Sequence, residues 1–175
     1  MATMSQPRSS REETRLQRIV GAVSTVSGVI SAGLIFVSVL ITCQMIWVRF
    51  VMNDSTIWQT EAVIYMMIAA TLLGLPYVQR LRGHVNVDLI PGLLPPKARR
   101  VLAFSTLGLG IAVIGIMLWH SFELWHLAFE RGWRSDTVWG VKLWIPYLAM
   151  PVGFGLYILQ MLADLLAEIS PAAED

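Results

Sequence analysis

The residues of this chain that could do chemistry are few, and several cluster in one short segment. His120, Glu123 and His126 lie within a single stretch, where Glu123 and His126 form a Glu-x-x-His pair. Such pairs serve di-iron helical bundles, which need two of them plus two further glutamates from facing helices. One pair is present here. A haem held between membrane helices needs facing histidines, whereas His120 and His126 share one segment at an offset well off a single helical face. His84 stands apart, and the single Cys43 excludes both a disulfide framework and a Cys-based zinc site. No Gly-rich phosphate loop follows a strand, and no nucleophile–base pair is arranged for hydrolysis. No catalytic residue, metal site or cofactor site follows from these residues. They read instead as a helical surface. Leu118, Phe122, Trp125 and Phe129 make an apolar stripe, beside which Glu123, His126 and Glu130 can interact at i,i+3 and i,i+4.

The composition explains this scarcity. The chain has 175 residues, 55% hydrophobic and 14% charged, with a mean hydropathy of +0.61. Soluble domains are about a quarter charged, so the charge is too sparse to cover a water-facing surface. A net charge of +1 offers no basic excess for a nucleic acid. At about 20 apolar residues per bilayer crossing, the length allows three to five spans and no separate soluble domain. We therefore expect an all-α integral membrane protein forming one four-helix membrane domain over 1–175.

The first span runs over about 19–48 without an Asp, Glu, Lys or Arg. It is long enough to tilt or project from a hydrocarbon core of roughly 30 Å. Residues 1–18, with four arginines, form a cytoplasmic tail, and no cleavage signal follows. The other spans run over about 60–78, 101–125 and 143–166. Placing both ends inside puts nine of the 13 Lys and Arg residues in the cytoplasm and four outside, an N-in/C-in arrangement. All seven tryptophans (Trp47, Trp58, Trp119, Trp125, Trp133, Trp139 and Trp144) then fall at or beyond the outer span ends. Indoles favour the headgroup zone, but a simple belt populates both faces, so the one-sided set also suggests a docking surface.

Between spans two and three, residues 79–100 are too apolar for a free loop and too proline-rich for a span. A short segment lying along the inner interface is expected. Small residues mark helix contacts in lipid. They recur at Ser24, Gly28 and Ala32, at Ala70 and Gly74, and at Gly108 and Ala112. Pro151 should kink span four. Glycines Gly153 and Gly155 then permit close approach. Ser38, Thr42 and Thr71 are expected to bond to their own helices. The carboxylates Glu61, Glu123, Asp164 and Glu168 sit near span ends, leaving mid-membrane without the ionisable groups that transport sites use.

The most distinctive stretch is Arg82-Gly83-His84-Val85-Asn86-Val87-Asp88-Leu89, followed by Leu94-Pro95. It is preceded by Glu61 at the outer mouth of span two and by Leu73-Gly74 within it. This pattern resembles the small membrane subunit, the DctQ-type component, of tripartite ATP-independent periplasmic (TRAP) transporters. Ser135-Asp136-Thr137, Leu143 to Tyr147 and Pro151 to Phe154 are similar to that family's outer loop and fourth span.

The resemblance implies a small subunit of the bacterial inner membrane. A periplasmic binding protein would capture an organic acid and a large multi-span subunit would move it, driven by sodium. Sodium would sit on that large subunit, and this chain would hold no cofactor. On this reading Gly83 turns the chain out of span two, Arg82 and His84 stay at headgroup level, and Asp88 ties the segment to a nearby cation. Glu61, Gly74, Pro151 and the outer tryptophans Trp125, Trp133, Trp139 and Trp144 join them as structural or partner-contact positions. Two other readings make different demands. A haem- or quinone-associated anchor of an oxidoreductase predicts visible absorbance lost on replacing His120 or His126. A self-assembling exporter needs a mid-membrane carboxylate.

Overall fold

A computed structural model of the chain describes residues 15–81 and 96–169. The charge-free stretch becomes α1 (Arg15–Phe50), 36 residues and about 54 Å long. It is followed by α2 (Gln59–Arg80), α3 (Pro96–Glu130), α4 (Trp144–Tyr147) and α5 (Ala149–Ile169). Four stretches are long and apolar enough to cross a membrane: Gln17–Phe50, Gln59–Arg80, Phe104–Glu130, and Trp144–Leu166 formed by α4 and α5. Helices are the natural outcome, because each satisfies its own backbone polar groups where no water can. Of the connection expected over 79–100, residues 79–81 finish α2 and its cap and 96–100 begin α3; the rest, 82–95, lies outside the described residues.

Two prolines shape these helices differently. A proline lacks the N–H for the carbonyl four residues back, and its ring presses on that carbonyl. For Pro151 that residue is Tyr147, where α4 ends before the chain resumes as α5. The fourth span is thus interrupted one turn before the proline expected to kink it. Pro76 is fully buried inside α2, which continues to Arg80. Its target carbonyl, that of Leu72, lies where the backbone of Gly153 comes closest.

The helices are not equally embedded. α1, α2 and α5 pack on one another, whereas α3 packs on α5 and α4 and makes no comparable contact with α1 or α2. α3 is the least buried span, with Leu109 69% exposed and Val113, Ile116 and Met117 also exposed. The interior holds small and polar side chains, among them Ser24, Ser27, Ser31 and Ala70, while Ile30, Phe36 and Leu40 face outward. This inversion of the soluble pattern suits a bilayer solvent, in which apolar side chains gain little by burial and close packing decides.

The small-residue stripes sort accordingly. Ser24 and Gly28 face α2 and α5, but Ala32 is exposed. The contact row is Ser24, Ser27, Gly28 and Ser31, which follows the i,i+3,i+4,i+7 face of a helix better than a four-residue repeat. Ala70 and Gly74 both face α1. Gly108 and Ala112 are exposed, and a Cβ at Gly108 would meet nothing within 4 Å. It is Gly110 that faces inward, where a Cβ would lie 2.7 Å from Met161 Cε.

Candidate functional site: a tied seam and an outer loop clamp

Along the seam between α1 and α2, serines replace apolar knobs. Ser31 Oγ donates to the Ala70 carbonyl at 2.6 Å, and Ser27 Oγ donates to the Leu73 carbonyl. Gly28 lets the Tyr77 ring lie against the α1 backbone, where a Cβ would come within 2.5 Å of Tyr77 Cγ. Gly74 receives Ser31 in the same way, with a Cβ position 3.1 Å from its Oγ. Hydroxyl groups are small enough to bring two backbones together and polar enough to bond across them.

At the end of the seam away from the tryptophans, three helices share one polar chain. Ser24 Oγ on α1 donates to Gln160 Oε1 on α5 at 2.7 Å. Gln160 Nε2 donates to Asp164 Oδ1 at 3.0 Å. Gln79 Nε2 on α2 donates to Asp164 Oδ2, also at 3.0 Å, and Tyr157 OH donates to Gln79 Oε1 at 3.4 Å. One turn further, Arg80 Nη1 donates to the Gly21 carbonyl at 2.7 Å and to the Thr25 hydroxyl. The polar side chains here bond to one another and to backbone across three helices.

At the opposite end a compact loop closes over the mouth of α2. Gly132, at φ +59°, ends α3 in a Schellman cap. There Trp133 N donates to the Ala128 carbonyl at 3.1 Å and Gly132 N to the Phe129 carbonyl at 3.3 Å. Gly140, also at φ +59°, completes a turn in which its N–H donates to the Thr137 carbonyl at 3.0 Å. The turn returns the chain antiparallel, pairing Arg134 with Lys142. Its tip reaches Glu61, whose carboxylate accepts from the Thr137 hydroxyl and from Tyr65 OH at 2.6 Å. Glu61 is only 8% exposed. Trp139 stands against Trp58 at 6.2 Å, so aromatic contact reinforces the clamp.

Residues 38–170 match the family described as tripartite ATP-independent periplasmic transporters, DctQ component. The chain belongs to the DctQ family. It is similar to the C4-dicarboxylate TRAP transporter small permease protein DctQ of Vibrio cholerae, with 24% identity over 144 residues covering 70% of this chain and 62% of that protein. It is also similar to the isethionate TRAP transporter permease protein DctMQ of Oleidesulfovibrio alaskensis. There the identity is again 24% over 144 residues, covering 79% of this chain and 22% of the relative. The chain thus spans less than two thirds of the length of either relative. Family and apolar helices together make it a multi-pass protein of the inner membrane.

The residues singled out by the DctQ resemblance are dispersed. Arg82, Gly83, His84 and Asp88 lie outside the described residues. Glu61, Thr137 and Trp139 meet in the clamp, and Gly74 lies on the seam. Trp125 and Trp144 belong to an aromatic ladder. Phe122 and Trp125 are 5.7 Å apart, Trp125 and Phe129 5.9 Å, and Phe129 meets Trp144 edge-on at 5.7 Å. Trp133 anchors the hairpin through its carbonyl, which accepts from Leu143 N at 2.9 Å. The outer extension of α3 therefore packs on the start of the fourth span.

Among the described residues of this DctQ-family chain, His120 and His126 sit in exposed pairs on one helix, His120 Nδ1 3.3 Å from Glu123 and His126 Nδ1 3.6 Å from Glu130. They do not face each other across the bundle. Ser38, Thr42 and Thr71 bond to the carbonyl one turn back, at 2.8 Å each. The polar chain of Gln79, Tyr157, Gln160 and Asp164 was not anticipated from sequence. The serine row at 24, 27 and 31 and the Gln160–Asp164 spacing of four were its available signals.

Proposed function

We propose that this chain is the small, non-catalytic membrane subunit of a sodium-driven, binding-protein-dependent TRAP transporter for organic acids. It enlarges the fixed scaffold of a large transport subunit, with both termini in the cytoplasm. Sodium and substrate bind elsewhere in the assembly.

The observation that carries this reading is where the polar side chains within the spans are used. Ser24, Ser27, Ser31, Gln79, Gln160 and Asp164 bond to other helices of the same chain. A transport site needs such groups free to exchange partners with cargo, whereas a scaffold uses them to hold helices in place. The DctMQ relative supports the partner, since the similar stretch occupies 22% of one larger permease polypeptide. The clamped loop supports a docking role for the tryptophan-rich face. Val138, at its tip, is 88% exposed on a backbone fixed by Glu61 and the Arg134–Lys142 pairing.

The test is co-expression with the large TRAP subunit of the same source, followed by affinity purification through this chain in mild detergent. Stoichiometric recovery of the large subunit is expected. In proteoliposomes, uptake should then require both membrane subunits, the binding protein and an inward sodium gradient. Recovery of this chain alone, or uptake by the large subunit without it, would overturn the reading.

A further inference from the structure

The hairpin that closes over α2 places two cationic residues, Arg134 and Lys142, directly opposite each other on its paired backbone. Trp133 O accepts from Leu143 N, and Ser135 N donates to Val141 O, both at 2.9 Å. These bonds flank Arg134 and Lys142, which makes them a non-hydrogen-bonded antiparallel pair, the arrangement in which facing side chains come closest. Like charges placed directly opposite destabilise a hairpin, yet here the backbone imposes the opposition. Among the described residues no carboxylate forms an ion pair with either cation. Asp136 lies two residues from Arg134 and does not reach it. Glu130 is engaged with His126. Both cations are exposed.

The depth of this pair selects its counter-ion. Lys142 lies two residues before the fourth span, Trp144–Leu166. The same loop is pinned through Thr137 to Glu61, in the first turn of α2. Trp133 and Trp144 flank the pair in sequence, and Trp58 packs on Trp139 beside it. Indoles concentrate at headgroup level. Two exposed cations on a backbone held at that level lie within reach of the phosphate layer of a bilayer.

We propose that Arg134 and Lys142 together hold the phosphate of an anionic phospholipid headgroup at the tryptophan-rich surface of the bundle. Arg134 offers a planar fork of donors and Lys142 a point charge, and a phosphate has oxygens enough for both. Binding removes the repulsion between the cations, so the lipid also stabilises the hairpin that carries the exposed tip. The lipid is recognised by this chain alone, so the inference stands whether or not the chain joins a larger transporter.

The test uses the full chain in detergent, titrated with phosphatidylglycerol or phosphatidylcholine and followed by native mass spectrometry. A variant with Arg134→Gln and Lys142→Gln keeps side-chain length and the backbone pairing. Each cation near an anionic surface contributes roughly a fivefold change in affinity, so the double variant should bind phosphatidylglycerol about thirtyfold more weakly. Phosphatidylcholine binding should change little, and inorganic phosphate in the millimolar range should not displace the lipid. Circular dichroism and intrinsic tryptophan fluorescence report whether the variant keeps its fold. A second variant, Arg131→Gln, removes a nearby cation outside the pair and should retain lipid. Equal phosphatidylglycerol binding by wild type and double variant would overturn the proposal. So would displacement by free phosphate, or a double variant that lost phosphatidylcholine as strongly as phosphatidylglycerol.

Discussion

The α1–α2–α5 seam and α3 cross the same bilayer by different means. Across the seam, backbones approach closely enough that a single added carbon at Gly153 or Gly28 would collide with a neighbour, and side-chain hydrogen bonds link three helices. On α3, Ser105 and Thr106 bond only to their own helix, at 2.8 Å each, and glycines 108 and 115 face open space. Hydropathy does not separate the two regions, since both read as long apolar helices. What separates them is where the small and polar residues point. One region has spent them on its own interior, and the other leaves its face available to lipid or to another helix.

The sharpest way to break that contrast is at Gly153. A Cβ there would lie 2.8 Å from Leu72 Cβ and 2.9 Å from both the Leu72 carbonyl carbon and oxygen. Backbone atoms cannot swing aside as a side-chain tip can. Gly153→Ala should therefore cost toward the upper part of the roughly 1–3 kcal/mol range for overpacking, read as a lower unfolding midpoint in a detergent titration. A variant as stable as wild type would show that α2 and α5 do not pack this closely.

Next in size is the polar chain. Gln160→Leu removes the acceptor for buried Ser24 and one of the two donors to half-buried Asp164. A loss of about 1–2 kcal/mol is expected. Ser105→Ala on α3 serves as its counterpart and should stay within about 0.5 kcal/mol. If the two variants proved equally stable, the tied region would be no more tied than α3.

The clamp should affect local order more than global stability. Glu61→Ala removes the acceptor for both Thr137 and Tyr65 and frees the loop tip from α2. Trypsin cleavage after Arg134 and Lys142 should rise by about tenfold while the helices stay intact, since loop opening and global unfolding are separate events. Thr137→Ala should raise it less, because the Ser135 side chain on the same loop still hydrogen-bonds the Glu61 carboxylate. Unchanged cleavage in both variants would mean that the Glycine-capped hairpin alone fixes the loop.

These contrasts were only partly legible in the amino-acid sequence. Four apolar helices followed from hydropathy, because a bilayer permits little else. The place of Pro151 predicted a kink in the fourth span, and the four-residue reach of its ring explains why the helix is interrupted after Tyr147. Glu61 was noticed through a family motif, but its role was not, because Thr137 lies far along the chain and only the turn at Gly140 brings them together. The polar chain was missed for a related reason. Gln79 and Asp164 each look like ordinary span-end residues, and their pairing depends on how α2 and α5 align. Gly108 faces away from the other helices of this chain, which its type could not reveal, because a small residue states only that close approach is possible, and not from which side.

Gly108 therefore supplies the smallest expected effect and the most discriminating one. Gly108→Ala is the same chemical change as Gly153→Ala, yet a Cβ at 108 meets no atom of this chain within 4 Å. In the isolated chain the substitution should be neutral or stabilise by up to about 1 kcal/mol, since alanine favours the helix over glycine. The opposite signs of the two variants would be the plainest proof that α3 stands apart from the seam. The variant also tests what covers the face. Lipid tails adapt to an added methyl group, so uptake and recovery of the large subunit should be unchanged if lipid lies there. A partner helix packed against Gly108 would be pushed away, and the loss would appear only in the assembled transporter. A bulkier pair, Gly108→Leu with Ala112→Leu, amplifies that reading without touching any contact inside the chain. Destabilisation of the isolated chain by either change would refute the open packing of α3 itself.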